Sequence, residues 1–460
     1  MDNRGVSRLL FQRYLLPFDP WVLLLPVALV GVGLLVFRIS VPAEDEAPTP
    51  IGNTAAVEDD GAAEADEQEA GEAQGAADGD ATADAGPAAA VPDDSGAEGA
   101  GPAADAAAAE PSDAREELEL TFLGDIMAHS VNFSMDDYRR IYVDVEDELH
   151  GDDLTFANLE TPVVASHPYE TYPRFNVKPE YARAAVEAGV DVFSAANNHA
   201  ADRGPGGVAA TRSALDALDK SIGLGFGGLR SEPGDGFEAV TLEVDGREIG
   251  FVAVTQALNG LDGGSLVQTL DYRGEQRVQR FVMWLSRQVD DYDLFVVSYH
   301  GGREYELDPD PNKAQFFERL VRAGADIVWS HHPHVVQPWQ LLERPDGSEA
   351  IILHSTGNFI SGQTWGFEPG QADEARAHTG DGALFRVSVE WDKAGKTSIS
   401  HDPLFVANYR DPRHGMVVRR IDKLIRSDID ESWKRYYVER RVALQKTASR
   451  STTVRLSLLD

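Results

Sequence analysis

The chain contains no cysteine, which excludes disulfides, thiolate metal ligands and cysteine nucleophiles. Between Glu44 and Asp113 it also lacks lysine, arginine and every aromatic residue, while twenty Asp and Glu stand among Ala, Gly and Pro. Such a stretch cannot bury enough apolar surface to offset the entropy of ordering it. It reads as a disordered, self-repelling acidic linker over residues 42–115, holding about twenty of the thirty-six net negative charges. Basic residues are scarce overall, with 41 Lys and Arg against 77 Asp and Glu, and this balance argues against nucleic acid as a partner.

Long apolar runs are also rare, with one exception. Trp21 to Phe37 is uncharged and apolar, and extending it to Val41 gives about the ~20 residues that a bilayer requires. Arg4, Arg8 and Arg13 precede it and acidic residues follow, so the positive-inside rule places residues 1–20 in the cytoplasm. The expectation is a single-pass signal anchor at 21–41, with the folded part outside the cytoplasmic membrane. A cleaved signal peptide is the competing reading; the long flank before the apolar run and Arg38 after it speak against cleavage.

From Leu118 onward short β-rich runs alternate with helical stretches, the pattern of an α/β layered fold. Strands are expected at 118–123, 154–159, 190–196, 294–299 and 325–330, and helices at 180–188, 208–220 and 277–289. A hairpin at 239–253 should turn at Asp245-Gly246. Runs at 351–354 and 383–391 suggest a further sheet of more antiparallel character. The stretch 411–460 turns basic and is expected to be a helical extension without chemistry. The glycine-rich segment 223–228 follows a helix and precedes a strand, the reverse of a phosphate loop, and reads as a connector. Trp329 and Trp339 are expected to be buried between layers.

In open α/β sheets ligands bind beyond the carboxyl ends of strands. Here such ends deliver Gly124-Asp125 with His129, Asn158-Leu159-Glu160, Asn197-Asn198-His199, His300, and Ser330-His331-His332-Pro333-His334. Singly, each Asp or His is as well explained as a turn former or helix cap. Jointly, carboxylate, amide and imidazole donors without sulfur suit a hydrolytic pair of divalent ions, Mn, Zn or Fe. Two ions about 3.5 to 4 Å apart can clamp the attacking and leaving oxygens of a phosphoryl displacement. On an extended segment, His332 and His334 would project from one face toward adjacent ions.

These residues, in this order, resemble the CapA family of poly-gamma-glutamate capsule synthesis, within the metallophosphoesterase superfamily. The resemblance runs from Leu118 to Tyr409 and rests on GDIMAH (124–129), FANLETPV (156–163), AANNHAADRG (195–204), HGGREY (300–305), GADIVWSHHPHVVQP (324–338) and STGNFISGQ (355–363). It implies a four-layer sandwich over 116–410, two central mixed sheets between helices, with the ions at the strand ends. It further implies that Asp125 binds the first metal, Glu160 bridges both, Asn198, His300 and His332 take the second, and His334 returns to the first. His129 would stand in for a His that the superfamily places two residues after its Asp, where this chain has Met127. His199 is the candidate general acid, with Asp202 orienting its ring; a helix-start residue bonded to backbone is the bland alternative. Asn358 is expected to hold a turn near the site.

The function expected is a membrane-anchored phosphoesterase-type hydrolase of capsule biosynthesis or export, acting on a phosphoester or anionic polymer alongside other capsule proteins. The alternative is a tethered scaffold that keeps the fold without turnover.

Overall fold

The computed structural model describes residues 115–457. The segment 1–20, the anchor at 21–41 and the linker from residue 42 to 114 lie outside the described residues; among those described, no helix is long and apolar enough to cross a membrane.

The chain first builds half of one sheet. Strand β1 (Glu117–Ile126) is followed by the one-turn helices α1 (Ser130–Phe133) and α2 (Glu146–Leu149), then by β2 (Leu154–Leu159), α3 (Pro179–Glu187), β3 (Val192–Ser194), α4 (Gly204–Ile222) and β4 (Gly225–Gly227). β1, β2, β3 and β4 pair in parallel in that order. The segment expected to be a connector is therefore a short strand. Its glycines permit close packing: a Cβ at Gly225 would meet Leu242 at 2.8 Å, and one at Gly227 would meet the Phe251 ring at 3.0 Å.

The chain then crosses to a second sheet. β5 (Val240–Val244) and β6 (Arg247–Thr255) form the expected hairpin, with Asp245 and Gly246 at φ 46° and 81°, as a type I′ turn demands. Helix α5 (Glu275–Gln288) leads to β7 (Leu294–His300), and α6 (Pro311–Arg322) to β8 (Ile327–His331). β6, β7 and β8 are parallel, and β10 (Glu349–Leu353) joins β8 in parallel while pairing antiparallel with β9 (Trp339–Glu343).

Finally the chain returns to the first sheet. β11 (Asn358–Ile360) lies parallel to β1 near Asp125, and β12 (Asp381–Trp391), β13 (Thr397–Asp411) and β14 (Gly415–Arg420) extend the sheet from the same edge of β1, opposite β2, as an antiparallel meander. α7 (Ile421–Arg426) and α8 (Glu431–Ala448) follow, and β15 (Thr452–Arg455) adds a parallel edge to β9. The stretch after residue 410, expected to be helical, thus also supplies a strand to each sheet. β15 is short and mostly exposed, so it carries no apolar alternation to betray it.

The two sheets pack face to face. Phe122 and Phe156 of the first stack at 4.9 Å, and Trp329 and Phe251 of the second meet them at 5.7 and 5.5 Å. Trp329 also donates its indole N–H to the Leu123 carbonyl at 3.0 Å, and Trp339 is buried against Phe385. Side chains of the second sheet alternate: Ile249, Phe251, Val296, Ile327 and Trp329 face the first sheet, while Val252, Val254, Phe295, Val297 and Val328 join a separate core with α5 and α6. α3 and α4 add Tyr181, Ala185, Leu215 and Leu218 to the inter-sheet core's cluster. The result is a mixed α/β fold of two sheets with helices packed on them, in agreement with the sequence reading.

Candidate metal centre

Strand register places the polar residues. Asp125 lies opposite Asn158 of β2 and Asn358 of β11, and His300 opposite His331. Glu160 follows β2 directly, and Asn197 to His199 follow β3. The carboxyl ends of five parallel strands from both sheets therefore deliver their polar residues to one place.

Distances bear out the convergence. His300 Nε2 lies 2.9 Å from Asn198 Oδ1, 3.1 Å from His332 Nδ1 and 3.6 Å from Glu160 Oε1. His334 Nδ1 lies 3.0 Å from both Asp125 Oδ2 and Asn358 Oδ1, and its Nε2 is 3.9 Å from Glu160 Oε1. Asn158 donates to Asp125 Oδ1 at 2.7 Å and to Glu160 Oε2 at 3.3 Å. Four overlapping sets have donor atoms within 4.8 Å of one another: Asp125, His300 and His331; Glu160, His300 and His332; Glu304, His332 and His334; and Asp125, Glu160 and His334.

Six of the expected residues, Asp125, Glu160, Asn198, His300, His332 and His334, are thus brought together. His129 is not in those sets. Its ring packs edge-on to Phe175 at 5.6 Å and parallel to Tyr172 at 6.3 Å, lining the cleft in front of the cluster with Nδ1 unpartnered. The expectation that His332 and His334 sit on an extended segment needs correction, because both have positive φ, 98° and 58°. Their rings, 5.7 Å apart, are aimed by a strained turn and not by strand alternation. Such conformations cost on the order of 1–3 kcal/mol each and persist where the surroundings hold them.

Two further residues belong to the cluster. Glu304, in the HGGREY segment, approaches His332 Nε2 at 3.9 Å. His331 lies beneath, fully buried, as the last residue of β8. Ser298 donates to Ser194 Oγ at 2.9 Å, which leaves its own oxygen to accept from His331 Nε2 at 2.8 Å. His331 Nδ1 then accepts from His300 Nδ1 at 2.7 Å, and His300 Nε2 keeps its lone pair toward Asn198, Glu160 and His332. The sequence places His331 at the end of a buried β-run, with nothing in its spacing to separate a residue beneath the site from the ligands beside it.

The electrostatics follow from burial. Glu160 is held well above its ordinary pKa by burial and then by the Asp125 charge. Burial lowers His300 well below its usual value, and His331 and His332 to about 4 and about 3. His334 goes the other way: burial opposes its charge, but the hydrogen bond and charge of Asp125 win, and Asp125 is lowered in return. Neutral imidazoles at His300, His331 and His332, a carboxylate oxygen of Glu160 without a hydrogen-bond partner, and acceptors facing acceptors make a site short of positive charge, with His334 alone favoured in its charged form. The donor set fits divalent cations.

In front lies a cleft of about 490 Å³ lined by residues including His129, Tyr172, Arg174, Asn198, His199, Asp202, Glu304, Tyr305 and His334. His199 Nδ1 donates to Asp202 Oδ2 at 2.8 Å, and the same oxygen accepts from the Phe175 N–H at 2.8 Å. His199 Nε2 is the ring nitrogen left for the cleft. Phe175 packs edge-on to the His199 ring at 4.7 Å and fixes its plane. Asn358 donates to Ser361, Gln363 and the Thr379 carbonyl, holding the turn beside the site as expected.

Residues 119–363 match the family described as bacterial capsule synthesis protein PGA_cap. The chain is similar to the capsule biosynthesis protein CapA of Bacillus anthracis, 30% identical over 264 residues that take in 54% of this chain and 61% of that protein. It is also similar to the PGA biosynthesis protein CapA of Bacillus subtilis strain 168, 25% identical over 293 residues, with 62% and 70% covered. This chain thus spans 61% of the length of the Bacillus anthracis relative. Among solved structures it is similar to a hypothetical protein from Thermus thermophilus, 20% identical, TM-score 0.36, covering 62% of this chain and 98% of that one.

Proposed function

The chain belongs to the PGA_cap family of bacterial capsule synthesis proteins, and on that premise we propose that it is a two-metal phosphoesterase-type hydrolase of capsule polymer biosynthesis or export. The observation that carries this reading is the convergence of Asp125, Glu160, Asn198, His300, His332 and His334, with one buried Glu160 oxygen unpartnered. Asp125 and His334 would hold one ion, Asn198, His300 and His332 the other, and Glu160 both. Bound there, divalent ions would polarise a phosphoryl oxygen and lower the pKa of a water.

The protein's own part is positional. Asp202 and Phe175 fix the His199 ring so that Nε2 can give a proton to the leaving oxygen. Tyr172 and Tyr305, which line the cleft, would narrow the access of water. The apolar segment at 21–41 and the acidic linker would carry this domain outside the cytoplasmic membrane, beside the other proteins of capsule assembly.

The test is metal content and turnover on the full-length protein. Two divalent ions per chain and hydrolysis of bis(p-nitrophenyl) phosphate are expected, with kcat lowered roughly 10²- to 10⁴-fold in His199→Ala at unchanged metal content. Two ions without turnover in the wild type would favour the tethered scaffold; no ions at all would sink the reading.

A further inference from the structure

Resting on the reading of the cleft as a phosphoester site, we propose that its rim is a subsite for a second anionic group of the substrate, a carboxylate or a phosphate, taken by Arg174.

The loop that carries Arg174 is tied down on both sides. Arg203 donates to the Arg174 carbonyl and to Glu170, each at 2.6 Å, and the Phe175 N–H donates to Asp202 at 2.8 Å. The backbone of Arg174 is thereby fixed to the residue that orients His199. Its side chain, however, lines the cleft, is exposed, and has no acidic partner among the described residues.

Arg174 is the guanidinium that lines this cleft, in a chain with 77 acidic against 41 basic residues. Elsewhere Arg247, Arg319, Arg344 and Arg420 hold carboxylates. A body of this charge repels an anionic substrate, and an unmatched guanidinium at the opening offsets that repulsion locally. The acid of the rim, Glu304, leans 3.9 Å from His332, on the side of the cluster. Tyr172 and Tyr305, 63% and 46% exposed, add ring surface around the same opening. Against such walls a planar fork binding a carboxylate or phosphate is better insulated than in open water.

The experiment compares wild-type, Arg174→Gln and Arg174→Lys full-length proteins. Substrates are p-nitrophenyl phosphodiesters whose second ester group is neutral, carries a carboxylate, or carries a phosphate. The wild type should favour the anionic substrates, and the preference, as a ratio of kcat/KM values, should fall about tenfold in Arg174→Gln and less in Arg174→Lys. Whichever anionic arm shows the larger loss names the group. A wild type without such preference, or equal loss on all three substrates, overturns the subsite. If the wild type turns over none of them, the hydrolase reading has failed, and the subsite is judged by calorimetry on metal-depleted protein. Binding of pyrophosphate or citrate that weakens about tenfold in Arg174→Gln supports it, and no binding by the wild type overturns it.

Discussion

Two buried polar clusters in this protein are built on opposite principles. Around Arg440, the guanidinium is 1% exposed and fully matched: Nε donates to Asp381 Oδ2 at 3.0 Å, one terminal nitrogen also reaches Asp381, and the other donates to the Ala372 carbonyl at 2.7 Å. At the strand ends, Glu160, Asn198, His300 and His332 crowd together with acceptors facing acceptors and with positive φ at His332 and His334. The first arrangement is complete in itself and fastens α8 to β12. The second is complete only with cations, so its cost to the metal-free fold is the mark of use.

The largest expected effect lies on the matched side. Arg440→Ala leaves the Asp381 carboxylate buried without a partner and should destabilise the domain by about 3–5 kcal/mol, read by denaturant unfolding. A loss below about 1 kcal/mol would erase the contrast between the two clusters. Next comes the layer beneath the cluster. His331→Phe removes the group that sets the His300 tautomer and should weaken metal binding roughly 10- to 100-fold, read by competition with a chelator. Retained affinity would show that His300 needs no such support.

Glu160→Gln should do opposite things to the two states. It should abolish tight binding of one or both ions, yet leave the metal-free protein unchanged or more stable by about 1 kcal/mol at neutral pH. The sign follows from linkage: the folded-state pKa of Glu160 is raised, so the folded protein binds more protons than the unfolded chain above pH 4.5, and stability falls as pH rises there. Metal-free wild type should therefore lose this penalty on acidification, and Glu160→Gln should lack that component. The smallest effect concerns His354, lowered to about 3 by burial and then by Lys313. Here the unfolded chain binds the proton first, so its contribution is present above about pH 6.5 and is lost as pH falls toward 3. His354→Gln should flatten the Tm profile in that window by a few degrees; an unchanged profile counts against it.

How far each cluster was legible differs for the same physical reason. The strands that deliver the site were readable because buried parallel strands are dense in apolar residues and stop abruptly: β2 at 154–159 coincides with its expected limits, and β7 runs one residue further, onto His300. The convergence of Asp125, Glu160, Asn198 and the histidines followed from placing such ends on one edge. Turn geometry was not readable, since nothing in HHPH announces positive φ at residues that usually avoid it. Ser298 was equally hidden, and His331 was visible at its strand end but not its place beneath the cluster, because a polar side chain pointing back into an inter-sheet space looks like any strand residue. Arg440 lay in a stretch read only as basic, and its partner Asp381 is 59 positions away.

The position of β15 has a consequence for biogenesis. The second sheet has β9 at its margin until residues 452–455 pair with it, and β1 at the centre of the first sheet waits for β12, more than 250 residues later in the chain. Partners so distant make assembly a late, all-at-once event, slowed by the closure of long loops. A nascent polypeptide truncated before Thr452 would leave β9 itself as the sheet's margin, where the finished protein presents only a short, mostly exposed four-residue strand to its neighbours.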